Sequence, residues 1–235
     1  MFKNISKSNN SFKTFVFSAA FGLMLAGSAM AQNGIGEILN RMDKNYKSLT
    51  SLRSNVTMVK TDSTLGESDT FLGTTSFIPE SYAGKRYIRI DWSKPTVENI
   101  VVIGDNYKLY RPKLNQVIIG QTKGAKNNAA AGGALAFVSM SREQLKANYT
   151  VVFIAEEQIS GGVGTFHVQL TPKTKTSYKL ADLWVDGDGM PRQAKITESN
   201  NDTTTVLLTD IRKNQNVDVA LFTLSLPKDV KVVKG

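Results

Sequence analysis

Residues 86–121 read RYIRIDWSKPTVENIVVIGDNYKLYRPKLNQVIIGQ, and their spacing decides the fold class. Ile88, Ile90 and Trp92 recur at every second position while Arg89 and Asp91 take the other face, the alternation of a half-buried strand. Gly104-Asp105-Asn106 separates 99–103 from 107–111, and Arg111-Pro112-Lys113-Leu114-Asn115 separates that run from 116–121. Turns this short join neighbours in an antiparallel meander. The centre of the chain is therefore expected to be an antiparallel sheet with one apolar face, which something must cover or fill.

Upstream, residues 1–31 read as an export signal. Lys3, Lys7 and Lys13 precede an acid-free apolar run from Phe15 to Ala26, and Ala29-Met30-Ala31 supplies the small residues needed for cleavage. The uncharged run from Thr14 to Met30 is marginal for a span of roughly 20 apolar residues and is interrupted by Gly22 and Gly27. Cleavage after Ala31 would leave 204 residues beginning at Gln32, a length suited to one mainly-β domain. The loss of three lysines lowers the net charge from +9 to +6. A basic surface suits anionic headgroups or an acidic partner, or serves solubility alone. With no cysteine, the chain carries no disulfide, no thiolate metal site and no lipidated cysteine.

From Asn33 to Leu52 the apolar positions Ile35, Ile38, Leu39, Met42, Tyr46, Leu49 and Leu52 are three or four apart, with Glu37, Arg41, Asp43, Lys44 and Lys47 on the remaining arc. This predicts an amphipathic helix whose single stripe lies on the sheet. About eleven strands follow, at 54–60, 70–77, 86–92, 97–103, 106–111, 115–121, 150–156, 164–171, 179–186, 191–199 and 203–212. Twist accumulates over so many strands, so the sheet should curl into an open or closed barrel. Residues 122–148 break the pattern with small residues and Gly132-Gly133, each glycine weakening a helix by roughly 1 kcal/mol. That segment is expected to be a movable lid, with Leu135, Phe137 and Met140 as its apolar contacts.

Chemistry is sparse. His167 is the single histidine and falls on the polar face opposite Phe166, Val168 and Leu170. One histidine and no cysteine exclude zinc sites and Cys/His catalysis on ligand count. Asp186-Gly187-Asp188-Gly189 lacks the later ligands of a calcium loop and reads as a hairpin turn. Asp62, Glu67 and Asp69 share one loop, and no arrangement singles out a carboxylate pair for hydrolysis. Tyr87 and Tyr107 on a basic sheet could mimic a base-stacking platform, but export argues against nucleic acid. A curled sheet, an amphipathic helix and a small-residue flap instead suggest a covered hydrophobic cavity, or else an ordinary filled core.

The order of features resembles the periplasmic lipoprotein carrier family of the LolA type. The likeness rests on the first helix, 52–60, the 73–79 strand ending in Pro79, and Arg89-Ile90-Asp91-Trp92-Ser93-Lys94-Pro95. It continues through the 100–110 hairpin and Leu221-Phe222-Thr223-Leu224-Ser225-Leu226-Pro227, followed by Val230 and Val232. The resemblance implies a mainly-β fold with some α, an incomplete antiparallel barrel covered by the N-terminal helix and a helical lid. It also implies a non-enzymatic role without cofactor, as a monomer holding acylated lipoproteins between an inner-membrane ABC transporter and an outer-membrane receptor. An exposed acyl chain costs about 0.8 kcal/mol per CH₂, so each needs on the order of 10 kcal/mol of shelter. By position, Tyr46, Val56, Met58, Ile88, Ile90 and Trp92 would line the cavity. One departure stands out: family members of the best-known kind carry an arginine immediately before the proline of the second strand, where it ties the lid shut, and this chain has Ile78 before Pro79. A binding or sensor protein for another lipid, and a secreted hydrolase with an unrecognised carboxylate pair, are the alternative readings.

Overall fold

The computed structural model describes residues 23–122, 137 and 140–235, with side chains from residue 34 onward. Helix α1 (Leu23–Ser48) is followed by β1 (Leu52–Thr61), β2 (Ser68–Ile78), the single turn α2 (Glu80–Ala83), β3 (Tyr87–Lys94), β4 (Glu98–Ile103), β5 (Asn106–Arg111) and β6 (Gln116–Gln121). After α3 (Arg142–Asn148) come β7 (Tyr149–Ile159), β8 (Val163–Pro172), β9 (Tyr178–Asp186), β10 (Pro191–Glu198), β11 (Thr203–Lys213) and β12 (Lys231–Lys234).

All eleven expected strands form, and β12 adds a twelfth. They make one sheet in the order β12-β6-β5-β4-β3-β2-β1-β11-β10-β9-β8-β7, antiparallel throughout except for the parallel β12–β6 pair. β7 and β12 are its two edges, so the barrel is incomplete. The antiparallel seam between β1 and β11 joins the two halves, and there the register slips opposite Asp210, whose φ is +50°. Further slips interrupt the β2–β3, β7–β8 and β9–β10 pairings. Bulges of this kind bend strands and increase local twist, which is how a sheet of ordinary strands curls.

The β12 strand escaped the sequence reading because four residues, LysValValLys, carry too short an alternation to register. Helix α1 starts at Leu23, within the expected leader, and stops at Ser48; Leu52 already opens β1. The leader's residues 1–22 lie outside the described residues, as do Leu135 and most of the expected lid. What stops the helix is chemical: the Asn214 side-chain amide donates to the Ser48 carbonyl while its Oδ1 accepts from the Thr50 N–H at 2.8 Å. One asparagine, itself at φ +59°, thus ties the helix end to the end of β11.

The buried stripe of α1 is Ile38, Leu39 and Met42, with Ile35 at its edge. Asn45 continues it and is also buried, donating to Met190 Sδ and accepting from Lys213 Nζ at 3.2 Å. Helix α3 opens on a capping box, Ser141 and Gln144 each satisfying the other's backbone N–H. Its Arg142 donates to Asn40 Oδ1 at 2.5 Å and its first N–H points at Asp43, so α3 is bound to α1. The Lys47 ammonium at 2.6 Å, aided by the Arg142 backbone N–H, holds the Asp43 carboxyl below its ordinary value. A depressed carboxylate stabilises above its unfolded-state pKa, and that contribution is lost as pH falls through the folded-state value. Acidification below about pH 4 should therefore loosen α3 first; faster amide exchange in 142–148 in the wild type, with Asp43→Asn already fast at neutral pH, checks this.

Candidate functional site

On the concave face, antiparallel pairing brings alternate residues of neighbouring strands into rows. One row runs Leu208–Val56–Gly73–Trp92 across β11, β1, β2 and β3. A second, Val206–Met58–Phe71, lies beside it. A third runs Thr75–Ile90–Ile100–Leu109–Ile118 from β2 to β6, and a fourth Phe77–Ile88–Val102–Tyr107. Val56, Met58, Ile88, Ile90 and Trp92 all lie buried in one apolar cluster with Ile38, Leu39 and Met42 of α1. Five of the six residues assigned to the concave wall by position are thus brought together. Tyr46 is half-buried on α1 and is not among the side chains of that cluster.

Gly73 explains how so large a ring as Trp92 fits. A Cβ there would stand 2.4 Å from the Asp91 carbonyl oxygen and 3.0 Å from the Trp92 ring. The indole therefore lies across β2, where Phe71 meets it edge-on at 5.9 Å between centroids. Among the described elements, α1 comes closest to β7 and α3, at the opposite end of the sheet from β3–β6.

Of the three residues expected on the lid, Leu135 lies outside the described residues. Phe137 is buried in the main cluster and packs against Tyr149 at 6.0 Å, and Met140 packs on the cluster from its edge. The Tyr149 and Tyr178 hydroxyls are 2.6 Å apart, and burial, with the hydrogen bond to Tyr149, pushes the Tyr178 phenol above its ordinary range. Tyr178 therefore remains neutral at physiological pH, as its burial requires.

The convex face departs from the expectation of a wet surface. Ile78, Val101 and Phe222 form a second buried cluster, flanked by Tyr87, Ile103, Val217, Leu221 and Leu224. The strap that follows β11 brings Val217, Leu221, Phe222 and Leu224 to it, pinned where Arg89 Nη1 donates to the Leu221 carbonyl at 2.6 Å, with Asp218 capping the turn at Val219–Phe222. Ile78, immediately before Pro79, faces this outer cluster and is 3 % exposed. It serves the strap, on the side of the sheet away from α1.

His167 does lie on the polar face, but it is not isolated. Its Nδ1 is 2.8 Å from Glu157, its Nε2 is 3.0 Å from Asp182, and its ring stacks on Trp184 at 4.4 Å. Gln169 and Trp184 donate to the same two carboxylates, so the cluster staples β7, β8 and β9. Periodicity gave the face of His167 but not these cross-strand partners. Asp186 accepts from the Asp188 and Met190 N–H groups and from Arg192, the geometry of a capped hairpin turn. Asp62 likewise accepts from Thr64 and Leu65 within its own loop. Among the described residues no cluster of three His, Asp or Glu is disposed to hold a metal ion.

Comparison with known proteins agrees with this architecture. An uncharacterized conserved protein from Thermus thermophilus superposes with a TM-score of 0.55 at 15 % identity, over 86 % of this chain and 99 % of its own. MucB superposes with a TM-score of 0.52 at 15 % identity, over 85 % of this chain and 64 % of its own. At such identities the likeness is one of fold. No curated protein matches in sequence. Residues 86–225, from the Trp92 strand through the Phe222 strap, match the model of the outer membrane lipoprotein carrier protein LolA, and the chain belongs to the LolA family.

Proposed function

We propose that this protein is a non-enzymatic carrier that shelters the acyl chains of lipoproteins against its concave face. The observation that carries the reading is the unbroken aliphatic row Ile90–Ile100–Leu109–Ile118 across β3–β6. Chains laid along such a row lose about 0.8 kcal/mol of exposure per CH₂ and meet flexible aliphatic groups that exact no single shape. Membership of the LolA family supports a lipoprotein as cargo, an inner-membrane ABC transporter as donor and an outer-membrane receptor as acceptor. The reading includes cleavage after Ala31 and action in the periplasm, on the sequence of residues 1–31.

Ile78 favours a second reading within the same family, a binder or sensor of another lipid. The residue at the arginine position is committed to the convex cluster with Phe222, so a lid would need a different latch. Cargo decides between them. Mass spectrometry of the protein purified from the periplasm should find triacylated lipoprotein with the wild type and at least tenfold less with Ile90→Glu. Circular dichroism checks the fold, and Ile90→Ala serves as the milder variant. Free phospholipid alone would favour the second reading, and an empty protein would overturn both.

A further inference from the structure

The strap leaves a pocket on the convex face, about 790 Å³ in volume, at the β12 edge of the sheet. Its floor is Val101, Ile103 and Ile119, and its wall is Phe222 and Leu224. The cross-strand register sets two cations in that floor. Ile119 pairs with Lys108 of β5 on one side and with Lys234 of β12 on the other, and all three line the pocket. No aspartate or glutamate lines it, and among the described residues neither lysine makes an ion pair or a hydrogen bond to another side chain. The volume falls within the range of small-molecule sites, which are mostly apolar with a few placed polar groups.

We infer that this pocket is a second binding site, for a single-chain amphiphile with an anionic head. The hydrocarbon would lie on Val101, Ile103 and Ile119 beneath Phe222 and Leu224, with the head between the Lys108 and Lys234 ammonium groups. Charge complementarity selects this occupant: an apolar trough flanked by two lysines and lined by no aspartate or glutamate attracts an anionic head and gives a neutral one nothing in exchange for its water. The floor is separated by the thickness of the sheet from the concave face, since Val101 and Ile119 alternate with the inward Ile100, Val102 and Ile118, while at the sheet edge Tyr107 of the fourth row also reaches the pocket. It does not depend on what the concave face carries.

The test uses the wild-type protein and a photoactivatable dodecanoic acid bearing a diazirine on its chain, with the corresponding dodecanol as the neutral control. Adducts mapped by mass spectrometry should fall on Val101, Ile103, Ile119 and 222–224 for the acid. They should drop at least fivefold for the alcohol, for the acid in 1 M salt, and for the double variant Lys108→Glu/Lys234→Glu. Ile103→Trp, which fills the trough without touching charge, should abolish them while labelling of the concave strands persists. Adducts confined to concave residues would overturn the second site and leave the carrier reading untouched. Equal labelling by acid and alcohol, or indifference to the charge reversal, would overturn the assignment of an anionic ligand. Labelling of the convex pocket alone would uphold this site and count against the carrier reading.

Discussion

Phe222→Ala should destabilise the protein by about 3–5 kcal/mol, the cost of emptying a buried aromatic site that cannot collapse. Phe222 is 1 % exposed, and its ring packs on Tyr87 at 5.3 Å between centroids and on Ile78 and Val101. What surrounds it decides the size of the loss. The floor is a paired sheet that cannot close over a void, and between its ends, held by Ser51 to the Gln215 carbonyl and Asn115 to Asp229, the strap hangs chiefly from the Arg89 contact to the Leu221 carbonyl. The local consequence should therefore exceed the global one. Amide exchange in 215–230 and at β12, whose backbone returns to the sheet through the Lys231 N–H to the Asn115 carbonyl, should rise before the core melts. Urea unfolding gives the total, and exchange gives its distribution. Phe222→Leu, which keeps most of the volume, should recover more than half. A loss under 1 kcal/mol would mean that the strap is not a structural part of the domain.

This strap also shows where sequence reading stops. The face of β3 was legible because period-two alternation in 86–92 names Ile88, Ile90 and Trp92 directly, whereas Val56 and Met58 came from the family resemblance; all five lie in the main buried cluster. The strap residues 214–230 carry only the short alternation Phe222, Leu224, Leu226, too brief to announce that Leu221 and Phe222 cover the outside of β2–β5. The clue was present at Val101 and Ile103, apolar residues on what alternation calls the wet face. An apolar run from Ile100 to Ile103 is the signature of a strand covered on both sides. Ile78 was likewise legible as a departure, but its partner lies more than a hundred residues away in sequence. Asn45 was the converse case, a polar residue in the helix stripe whose partners, Met190 and Lys213, only tertiary structure supplies. The lid was inferred from small residues and glycines, and of its three named contacts Phe137 and Met140 sit on the main cluster.

Gly189→Ala should cost several kcal/mol, far more than one added methyl suggests, and should act through the position of α1. Gly189 closes the β9–β10 hairpin at φ +84°, where a non-glycine residue is strained by about 1–3 kcal/mol. Steric contact costs more. An added Cβ would sit 2.2 Å from the carbonyl carbon of Arg41, 2.3 Å from its oxygen and 2.6 Å from the Met42 nitrogen, all backbone atoms of a helix that no rotamer change can move aside. Either the turn or the helix must shift, and the turn is held by Asp186 through three hydrogen bonds, including Arg192 at 2.5 Å. The helix is then the element to give. Its Arg41 contact to the Gly187 carbonyl would lengthen, and Met42 and Ile38 would withdraw from the concave cluster. Gly187→Ala is the control: its Cβ meets nothing within 4 Å, its φ is not positive, and it should change stability by under about 0.5 kcal/mol. Comparing the two by thermal unfolding separates helix displacement from any general effect of rigidifying the turn. The same pair tests the carrier reading from the helix side. If α1 forms one wall of the acyl site, Gly189→Ala should retain less lipoprotein than Gly187→Ala at a temperature where both are folded. Equal retention would confine the site to the β-strands alone.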